Sequence, residues 1–430
     1  MEQVLIHQNP HWQGKKYKEL FSREILHSLL QKCKTKHIQV LTGIRRCGKS
    51  SLFRLLINEL LKTNSPKSIL FINLDDPVFF ETWNKPAFLY NIVETAEKIT
   101  GVKVKFLFLD EIQSVVGWEK FVKSVYDSSL FKKIFVTGSN SSLLQNDFST
   151  LLSGRYFCNT VYPLSFKEIL DINNIKDNYD KARKKTKVLS LLDECLEWGA
   201  FPEIWQIKNH SVRLELLKNY FESIVMRDCV AYHKIADIAT FKRFLLFIMS
   251  NLGSPFSYKS LAKAVASNEN TIKKYLYILS DSYIISDVLN FSNSQKEIAR
   301  NLHKLYSIDN GIAKALSYRF AESKGKFLEN FVFSELNKIP HSEVFFCRNL
   351  NECDFIFRRG KEICGIQVCY ELNAENRDRE ISGFASLAKS VKLDRKVILT
   401  YNQSEKIGDV EILPAWEWLA EIPTPQHPFR

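Results

Sequence analysis

One short stretch, LTGIRRCGKSS at residues 41–51, limits the folds open to this chain more than any other feature. The apolar run HIQVLTG before it predicts a short buried strand, and KSSLFRLLINELLK after it predicts a helix with leucines repeating on one face. Gly43, Gly48 and the pair Lys49–Ser50 fit the spacing GxxxxGK[ST], which is specific when it stands between a strand and a helix. The stretch therefore predicts a phosphate-binding loop in an α/β domain.

The chemistry of phosphate binding accounts for the composition of this loop. Backbone N–H groups of a tight loop and of a helix N-terminus form a positive concavity that a di- or triphosphate can fill. Gly43 and Gly48 let the backbone curl. Lys49 is predicted to reach the β- and γ-phosphates, and the Ser50 hydroxyl is predicted to ligate Mg²⁺. The predicted nucleotide-binding residues of the loop are Gly43, Arg45, Arg46, Cys47, Gly48, Lys49, Ser50 and Ser51.

A second element follows about 60 residues later in the segment KVKFLFLDEIQ. Its continuous apolar run predicts a central parallel strand, and ligands bind at the carboxyl ends of such strands. Asp110 is therefore predicted to hold Mg²⁺ through water. Glu111, one residue further, is predicted to polarise the attacking water, a role that favours hydrolysis over transfer to another substrate. The alternative is an acidic strand end that faces solvent.

Two further segments add candidate residues. The strand KKIFVTGS ends in Thr137 and Ser139, which can contact the γ-phosphate from a neighbouring strand end or simply cap the following turn. Arg155 stands between a predicted helix and a predicted strand, where an arginine finger would stabilise charge on the transferring phosphoryl group. A surface arginine is the alternative. Lys49, Glu111 and Arg155 form the predicted catalytic set.

Charge and cysteine content narrow the class of protein. Sixty Lys and Arg residues against 48 Asp and Glu give a net charge of +12, which favours polyanionic partners, although a merely basic soluble protein is the alternative. The amino terminus lacks a signal-peptide core and no segment has the length of apolar sequence that a membrane span requires, so a cytoplasmic protein is predicted. The nine cysteines form no CxxC pair, which favours reduced thiols over structural zinc.

Cys47 lies inside the phosphate-binding loop, beside a helix N-terminus. Such a position tends to lower the pKa of a thiol and to raise its reactivity. One hypothesis is therefore that oxidation of Cys47 blocks nucleotide binding. The alternative is a small residue that fits the loop.

The middle of the chain predicts a DNA-binding module. Residues 161–238 have a helical pattern and are predicted to form a lid on the nucleotide domain. The segment SYKSLAKAVASNENTIKKYLYILSDSYIISDV then predicts two helices around a polar turn and a strand, which is a helix-turn-helix with a wing. Outward residues of its second helix suit phosphate and base-edge contacts with double-stranded DNA; they include Asn268, Asn270, Lys273, Lys274 and Tyr277. A winged helix that clamps the ATPase or a protein partner is the alternative.

These segments, in this order, resemble the AAA+-like ATPases of prokaryotes that carry a carboxy-terminal domain of uncertain function. The likeness is carried by GIRRCGKSS, LDEIQ, VTGSNSSLL, LSGRY, PLSFKEIL and GAFPE, and it continues to the end of the chain. The resemblance implies ATP rather than GTP as the nucleotide. It implies nucleotide-binding and hydrolytic roles for Lys49, Ser50, Asp110 and Glu111. It also makes Arg155 a candidate finger, with action within one chain or across subunits left open.

The last portion of the chain resembles the PD-(D/E)XK nuclease-like domains found at the end of the same family. Glu329 on a helix and Asp354 on a strand stand at two motif positions. An active member would place an acid and a lysine two residues apart at the third, where this chain has Gln367, Val368 and Cys369. Glutamine offers a metal no charge and cysteine no ammonium. The resemblance therefore implies a degenerate site in a fold retained for binding or scaffolding.

The predicted fold is a doubly wound parallel α/β sheet followed by a helical lid, a winged helix and a small restriction-endonuclease-like α/β domain. The predicted domains are 1–160 (AAA+-like P-loop core), 161–238 (lid), 239–310 (winged helix-turn-helix) and 311–430 (nuclease-like). The predicted function is a Mg²⁺-dependent ATPase that acts as a nucleotide-controlled switch on DNA. The alternatives are a non-enzymatic DNA- or protein-interaction module with ATP as a structural ligand, and a metal-dependent nuclease. The oligomeric state is left open.

Overall fold

The computed structural model describes residues 1–141, 150–292, 302–316, 323–348, 351–387 and 391–421. The chain forms two compact units, Met1–Tyr162 and Pro163–Arg430. The finer division of the second unit into lid, winged helix and tail stays a prediction. Among the described residues, no helix combines the length and the apolar character needed to cross a bilayer.

The first unit is built on five short strands. They are β1 Ile38–Thr42, β2 Ile69–Asn73, β3 Phe106–Asp110, β4 Lys133–Gly138 and β5 Tyr156–Thr160. Its α-helices are α1 Glu2–Gln8, α2 Ile25–Lys32, α3 Lys49–Leu60, α4 Phe80–Asn84, α5 Phe88–Thr100 and α6 Trp118–Asp127. Single 3₁₀ turns lie at Pro10–Gln13, Pro66–Ser68, Pro77–Phe79 and Ile112–Ser114.

The five strands form one parallel sheet in the order β2-β3-β4-β1-β5. The three inner strands β3, β4 and β1 are buried along their whole length, as expected for parallel strands covered on both faces. On one face Phe53 of α3 packs edge-on against Phe108, with ring centroids 5.0 Å apart. On the other face Leu107 and Leu109 join the core formed with α5 and α6. The structure confirms the predicted α/β domain with a parallel sheet.

The amino-terminal segment covers the outer edge of the sheet at β2. The amide of Asn9 imitates a neighbouring strand, since its Nδ2 donates to Phe71 O at 2.9 Å and its Oδ1 accepts from Phe71 N at 2.7 Å. Gln8 Oε1 accepts from Asn73 N at 2.9 Å at the end of the same strand. These bonds satisfy backbone groups that an edge strand would otherwise leave exposed. They also bring α1 to the carboxyl edge of the sheet.

The second unit contains the remaining elements. Its helices are α7 Phe166–Ile172, α8 Asn178–Arg183, α9 Lys185–Trp198, α10 His210–Ser223, α11 Ile238–Ser250, α12 Tyr258–Ala264, α13 Glu269–Asp281, α14 Asn310–Leu316, α15 Lys324–Leu336, α16 Arg377–Leu387 and α17 Ala415–Glu421, with a 3₁₀ turn at Pro202–Gln206 and a π-helical stretch at Ile224–Ala231. Its strands are β6 Ile285–Leu289, β7 His303–Ser307, β8 Ser342–Arg348, β9 Glu352–Arg359, β10 Glu362–Val368, β11 Arg395–Thr400, β12 Glu405–Ile407 and β13 Val410–Pro414.

Two sheets organise this unit. A six-stranded sheet has the order β12-β13-β11-β10-β9-β8, with antiparallel pairing from β8 to β10 and parallel pairing from β10 through β11 to β13. The second sheet is the antiparallel pair β6–β7, in which Ile285 lies opposite Ser307.

A short helix pair precedes β6. The turn between α12 and α13 is closed by Asn268, whose side chain accepts from Thr271 N at 2.9 Å. Asn268 was predicted to face DNA, and the structure instead uses its side chain as the cap of α13. Ile272, Leu276 and Leu279 of α13 are buried and anchor the helix in the core of this unit.

A buried carboxylate joins α9 to α14. Asp309 accepts from Ala200 N at 2.6 Å and from Gly311 N at 2.8 Å, and its side chain lies against Gly199. Burial raises the pKa of Asp309 to about 6, although the backbone N–H donors oppose that rise. The segment GAFPE, which begins at Gly199, therefore has a structural role: it supplies a backbone donor to this carboxylate and leaves it space.

Candidate functional site

The phosphate-binding loop lies between β1 and α3 and has the tight backbone that the sequence predicts. Gly43 has φ +144°, and a Cβ there would lie 2.1 Å from Val161 O. The chain after β5 comes this close because Val161 N donates to Thr42 O at 2.7 Å. Arg46 and Gly48 also have positive φ, of 72° and 101°. Such a series of turns can point successive N–H groups toward one anion.

Lys49 is the first residue of α3 and is almost fully buried. Its Nζ donates to Gly43 O at 2.8 Å and to Ile44 O at 3.1 Å. The ammonium group therefore lies inside the curve of the loop. A lysine ammonium at the N-terminus of a helix, beside a loop whose first glycine has no room for a side chain, suits a bound phosphate group. The loop thus fits a nucleoside triphosphate.

Ser50 and Asp110 place two oxygen ligands next to this loop. Asp110, the last residue of β3, is 2% exposed, and its carboxylate is hydrogen-bonded to the Ser50 side chain. Thr137 Oγ1 on β4 donates to Asp110 Oδ1 at 2.5 Å. Burial, with the nearby charge of Glu111, raises the pKa of Asp110 to about 6. A hydroxyl and a carboxylate beside a phosphate site are the ligand types that Mg²⁺ takes, so the residues fit that ion.

Within the described ranges no group of three or more His, Cys, Asp and Glu side chains is arranged to hold a metal ion. A magnesium site made by one hydroxyl, one carboxylate and the phosphates of a nucleotide does not depend on such a group. Such a site takes the rest of its ligands from the phosphates of the nucleotide and from water.

Glu111 follows Asp110 in a left-handed backbone conformation, with φ 55°. Its N–H donates to Thr137 Oγ1 at 2.9 Å, and its carboxylate accepts from Gln113 Nε2 at 2.5 Å. Glu111 Oε2 also lies 3.8 Å from Arg45 NH2, so it reaches the phosphate-binding loop. Since a non-glycine residue at positive φ is uncommon, the bonds around it fix the direction of this carboxylate.

Thr137 and Ser139 both reach this group of residues. Thr137 links the backbone of Glu111 to the carboxylate of Asp110, so it positions the two acids. Ser139 Oγ accepts from Gln113 Nε2 at 3.3 Å and donates to Asn140 Oδ1 at 3.1 Å. The structure therefore brings together the residues predicted from three strand ends.

Some residues around the site escape the sequence prediction. Arg23 connects the phosphate-binding loop to the segment after β5. Its NH1 donates to Cys47 O at 3.0 Å and its NH2 donates to Tyr162 O at 2.7 Å. A cavity of about 350 Å³ opens beside the metal ligands and is lined by His7, Gln8, Pro10, Tyr17, Ser50, Arg54, Phe71, Asn73 and Asp110. No pattern around Arg23 or Gln8 marks them, because their partners are distant in sequence.

Arg155 does not lie with the other predicted catalytic residues. It precedes β5, and Ile38 N at the start of β1 donates to Arg155 O at 2.9 Å. The phosphate-binding loop follows the opposite end of β1, a strand length of roughly 15 Å away. The guanidinium group contacts Leu151 O at 2.8 Å and Asp127 Oδ1 at 3.4 Å. In this conformation Arg155 cannot act on the loop of its own chain, and action across subunits stays a prediction.

The environment of Cys47 does not support the hypothesis of a reactive thiol. Its side chain is fully buried, and burial raises the pKa of the thiol even though Lys49 and Arg23 lie near it. The effect of the helix N-terminus is therefore outweighed by the loss of solvent. Cys47 acts as a small residue that fills the space under the loop.

We expect iodoacetamide at neutral pH to alkylate Cys47 at least ~10-fold more slowly in the folded protein than in the unfolded chain, because a buried thiol of raised pKa forms little thiolate. Mass spectrometry of peptides from timed samples measures both rates. Peroxide treatment is likewise expected to leave ATP binding unchanged. Labelling at the unfolded rate would restore the reactive-thiol hypothesis.

In the second unit, the predicted DNA-contacting side chains share one exposed surface of α13. Asn270, Lys273 and Lys274 are all exposed, and Tyr277 one turn further is 48% exposed. Lys273 Nζ lies 5.1 Å from the ring centroid of Tyr258 on α12. Cations and an amide on the outer face of the second helix of such a pair suit contact with phosphates and base edges.

Two of the three predicted positions of the degenerate nuclease site lie close together, and the third has a different role. Glu329 and Asp354 both approach the ammonium of Lys304, at 3.4 and 3.5 Å. Gln367 is turned into the sheet: its Oε1 accepts from Asp354 N at 2.8 Å, and its Nε2 donates to Glu352 O at 3.0 Å. The amide of Gln367 therefore fastens two backbone segments and contributes no metal ligand.

Comparison with protein families divides the chain into three matched regions. Residues 35–170 match the family described as an AAA domain. Residues 189–323 match a domain of unknown function (DUF8612), and residues 324–418 match another (DUF4143). The phosphate-binding loop, Asp110 and Glu111 fall within the matched AAA domain.

Two curated relatives resemble the chain over nearly its full length. Uncharacterized protein MJ1544 of Methanocaldococcus jannaschii is 35% identical over 404 residues, covering 89% of this chain and 88% of the relative. An uncharacterized protein of Haemophilus influenzae is 30% identical over 414 residues, covering 94% and 100%. Among solved structures, the Aeropyrum pernix ORC1 protein in complex with DNA is similar at 13% identity with a TM-score of 0.31, covering 69% of this chain and 92% of that one.

Proposed function

This chain belongs to the family that includes MJ1544 of Methanocaldococcus jannaschii and its Haemophilus influenzae relative, and we propose that it is a Mg²⁺-dependent ATPase whose nucleotide state controls a DNA-binding second unit. One observation carries the proposal: a buried lysine inside a tight glycine loop lies next to a serine and two adjacent acids at the carboxyl edge of a parallel sheet. The AAA domain match over residues 35–170 supports ATP as the nucleotide.

In the proposed ATP complex, Lys49 leaves the carbonyl oxygens of Gly43 and Ile44 and binds the β- and γ-phosphates. Loop N–H groups take the remaining phosphate oxygens. Ser50 and Asp110 would hold Mg²⁺, which would offset negative charge on the phosphates. Asp110 is ionised in that complex, since the added cation favours the charged form of a carboxyl whose pKa burial has raised.

Glu111 is the proposed general base for hydrolysis. Its carboxylate takes a proton from a water molecule as the oxygen of that water attacks the γ-phosphorus. The bond from the γ-phosphorus to the bridging oxygen breaks, and ADP and inorganic phosphate leave. Gln113 and Thr137 orient Glu111 through its side chain and its backbone, respectively. An arginine finger, if Arg155 supplies one, would come from a second copy of the chain.

The proposed DNA contact lies on α13. The helix pair α12–α13 followed by the antiparallel β6–β7 pair has the order of a winged helix-turn-helix. Asn270 is the proposed base-edge contact, and Lys273 and Lys274 are the proposed phosphate contacts. The outward charge of this helix supports DNA over an apolar protein partner.

The tail is proposed to keep a PD-(D/E)XK nuclease-like fold without cleavage activity. Glu329 on α15 and Asp354 on β9 approach one ammonium group, that of Lys304, and Gln367 makes bonds to the backbone. A metal-dependent nuclease would need a divalent cation where this ammonium lies. The arrangement therefore favours a binding or scaffolding role for the tail.

A hydrolysis assay tests both halves of the proposal. Phosphate release is measured with ATP and with GTP, with and without double-stranded DNA, at about 50 and 200 mM salt. We expect turnover of ATP, stimulation by DNA, and loss of the stimulation at the higher salt concentration, because Lys–phosphate contacts release counterions. No binding heat with any nucleoside triphosphate on folded protein would overturn the nucleotide proposal.

Removing the two lysines of α13 tests the DNA surface separately. The double variant Lys273→Ala/Lys274→Ala is expected to lower the slope of log affinity against log salt by about 1.8, since each phosphate contact contributes about 0.9. Fluorescence anisotropy of a labelled duplex measures the slope. Lys98→Ala/Lys120→Ala removes two exposed lysines of the first unit and serves as the matched control. Equal slopes in both double variants would place the DNA contact elsewhere.

A further inference from the structure

A buried lysine lies at the centre of three carboxylates in the second unit. Lys304 on β7 is 1% exposed. Its Nζ lies 2.7 Å from Glu352 Oε1, 3.4 Å from Glu329 Oε1 and 3.5 Å from Asp354 Oδ1. The carboxylates belong to α15 and to β9, so three elements that are separate in sequence meet at one ammonium group.

The charge on Lys304 depends on these partners. Burial by itself lowers the pKa of Lys304, but the charges of Glu329, Asp354 and Glu352 reverse that effect and hold its pKa above the usual range. A buried ammonium without such partners would lose its proton or unfold the region. The lysine and the carboxylates therefore require each other.

The carboxylates are also held from outside the cluster. Tyr306 OH donates to Glu329 Oε1 at 2.7 Å, and Val368 N donates to Asp354 Oδ2 at 2.9 Å. Asp354 Oδ1 and Glu352 Oε1 remain directed at the ammonium. Two of the three carboxylates, Glu329 and Asp354, therefore keep hydrogen bonds that do not depend on the lysine side chain.

We propose that Lys304 is a cation built into the chain, which takes the place of a divalent metal ion among these three carboxylates, and that removing its ammonium lets the carboxylates close into a binding site for a hard divalent cation such as Mn²⁺. Carboxylate oxygens are the ligands such ions prefer. The oxygens lie 2.7–3.5 Å from Nζ, so they need to move inward by about 1 Å to reach the bond lengths of such ions. In the natural chain the same lysine excludes the ion.

The test compares Mn²⁺ binding by the full-length wild type and by Lys304→Ala, measured from the electron paramagnetic resonance signal of free Mn²⁺. Binding is measured without nucleotide, so that the Ser50–Asp110 site lacks its phosphate ligands, and we expect the variant to bind one more Mn²⁺ per chain than the wild type. The double variant Lys304→Ala/Asp354→Asn is expected to lose the extra ion. Lys396→Ala, which removes a lysine paired with the exposed Asp409, is expected to match the wild type.

A folded Lys304→Ala that binds no additional Mn²⁺ overturns the proposal. If that variant does not fold without metal, refolding that requires Mn²⁺ supports the proposal. The neutral variant Lys304→Gln keeps most of the side-chain volume and gives a second measurement. A folded Lys304→Gln with wild-type Mn²⁺ binding, or failure of both variants to fold at any Mn²⁺ concentration, overturns it.

Discussion

Replacing Glu111 with Gln is expected to lower ATP turnover by about 10²–10⁴-fold while leaving ATP bound. The amide has nearly the volume of the carboxylate, so the loop and the metal ligands keep their shape. It cannot accept the proton of the attacking water, however, and it removes one negative charge near the phosphates. The loss is therefore expected in the chemical step, with affinity unchanged or slightly raised.

Single-turnover phosphate release measures the chemical step, and calorimetry with a non-hydrolysable ATP analogue measures binding. Glu94→Gln, an exposed glutamate on α5, is the matched control and is expected to hydrolyse ATP at the wild-type rate. Lys49→Ala is expected to differ from Glu111→Gln by losing binding as well, since it removes the charge at the centre of the loop. Normal turnover by Glu111→Gln would show that another group is the base.

Local sequence encodes the phosphate-binding loop, whereas the residues that support the loop come from distant segments. The phosphate-binding loop can be predicted because its backbone geometry is encoded locally, in Gly43, Gly48 and the strand and helix that flank them. The acids of β3 follow from the same logic, since a continuous apolar run indicates an inner parallel strand and its carboxyl end must lie at the loop edge. These parts of the site depend on strand direction and spacing alone.

The position of Arg155 also follows from strand direction, although its place between a helix and a strand led to the prediction of an arginine finger. A residue just before a parallel strand lies at the amino edge of the sheet, and Arg155 directly precedes β5. Its position after a helix suggested a finger, but strand polarity places it at the far edge from Lys49. Tyr156, the residue after Arg155, pairs with Ile38 at the start of β1, whereas Lys49 follows the end of β1.

Contacts between distant segments account for the rest of what the sequence does not predict. Lys304 lies in an apolar strand segment with no neighbouring acid in sequence, and its partners are reached only through the packing of α15 and β9 on β7. Arg23 and Asn9 are similar, since each bonds to backbone atoms of a segment far along the chain. Polar side chains that satisfy distant backbone groups leave no periodic pattern.

Gly199→Ala is expected to destabilise the second unit by about 3–5 kcal/mol, which is at the upper end for a single substitution. Gly199 has φ 73° and ψ −159°, a region that is essentially restricted to glycine. A Cβ there would also lie 1.8 Å from Asp309 Oδ1. The carboxylate would have to move, and the N–H groups of Ala200 and Gly311 would lose their buried acceptor.

Gly360→Ala is the control for a glycine of positive φ that has open space around it. Gly360 lies in the same unit at φ +62°, and a Cβ there would meet nothing within 4 Å. Its substitution is expected to cost only about 1–2 kcal/mol, the cost of a left-handed conformation for a side-chain-bearing residue. Differential scanning calorimetry of wild type and both variants measures the difference.

A double-mutant cycle then separates the steric clash from backbone strain. If the Cβ of Ala at position 199 acts by displacing the Asp309 carboxylate, Gly199→Ala should cost far less in a chain that already carries Asp309→Ala. The expected coupling between the two substitutions is therefore about 1–3 kcal/mol, in the direction of mutual relief. Additive effects would mean that backbone strain alone accounts for the loss. In that case the requirement for glycine at the start of GAFPE would come from the turn itself, with no part played by the carboxylate beneath it.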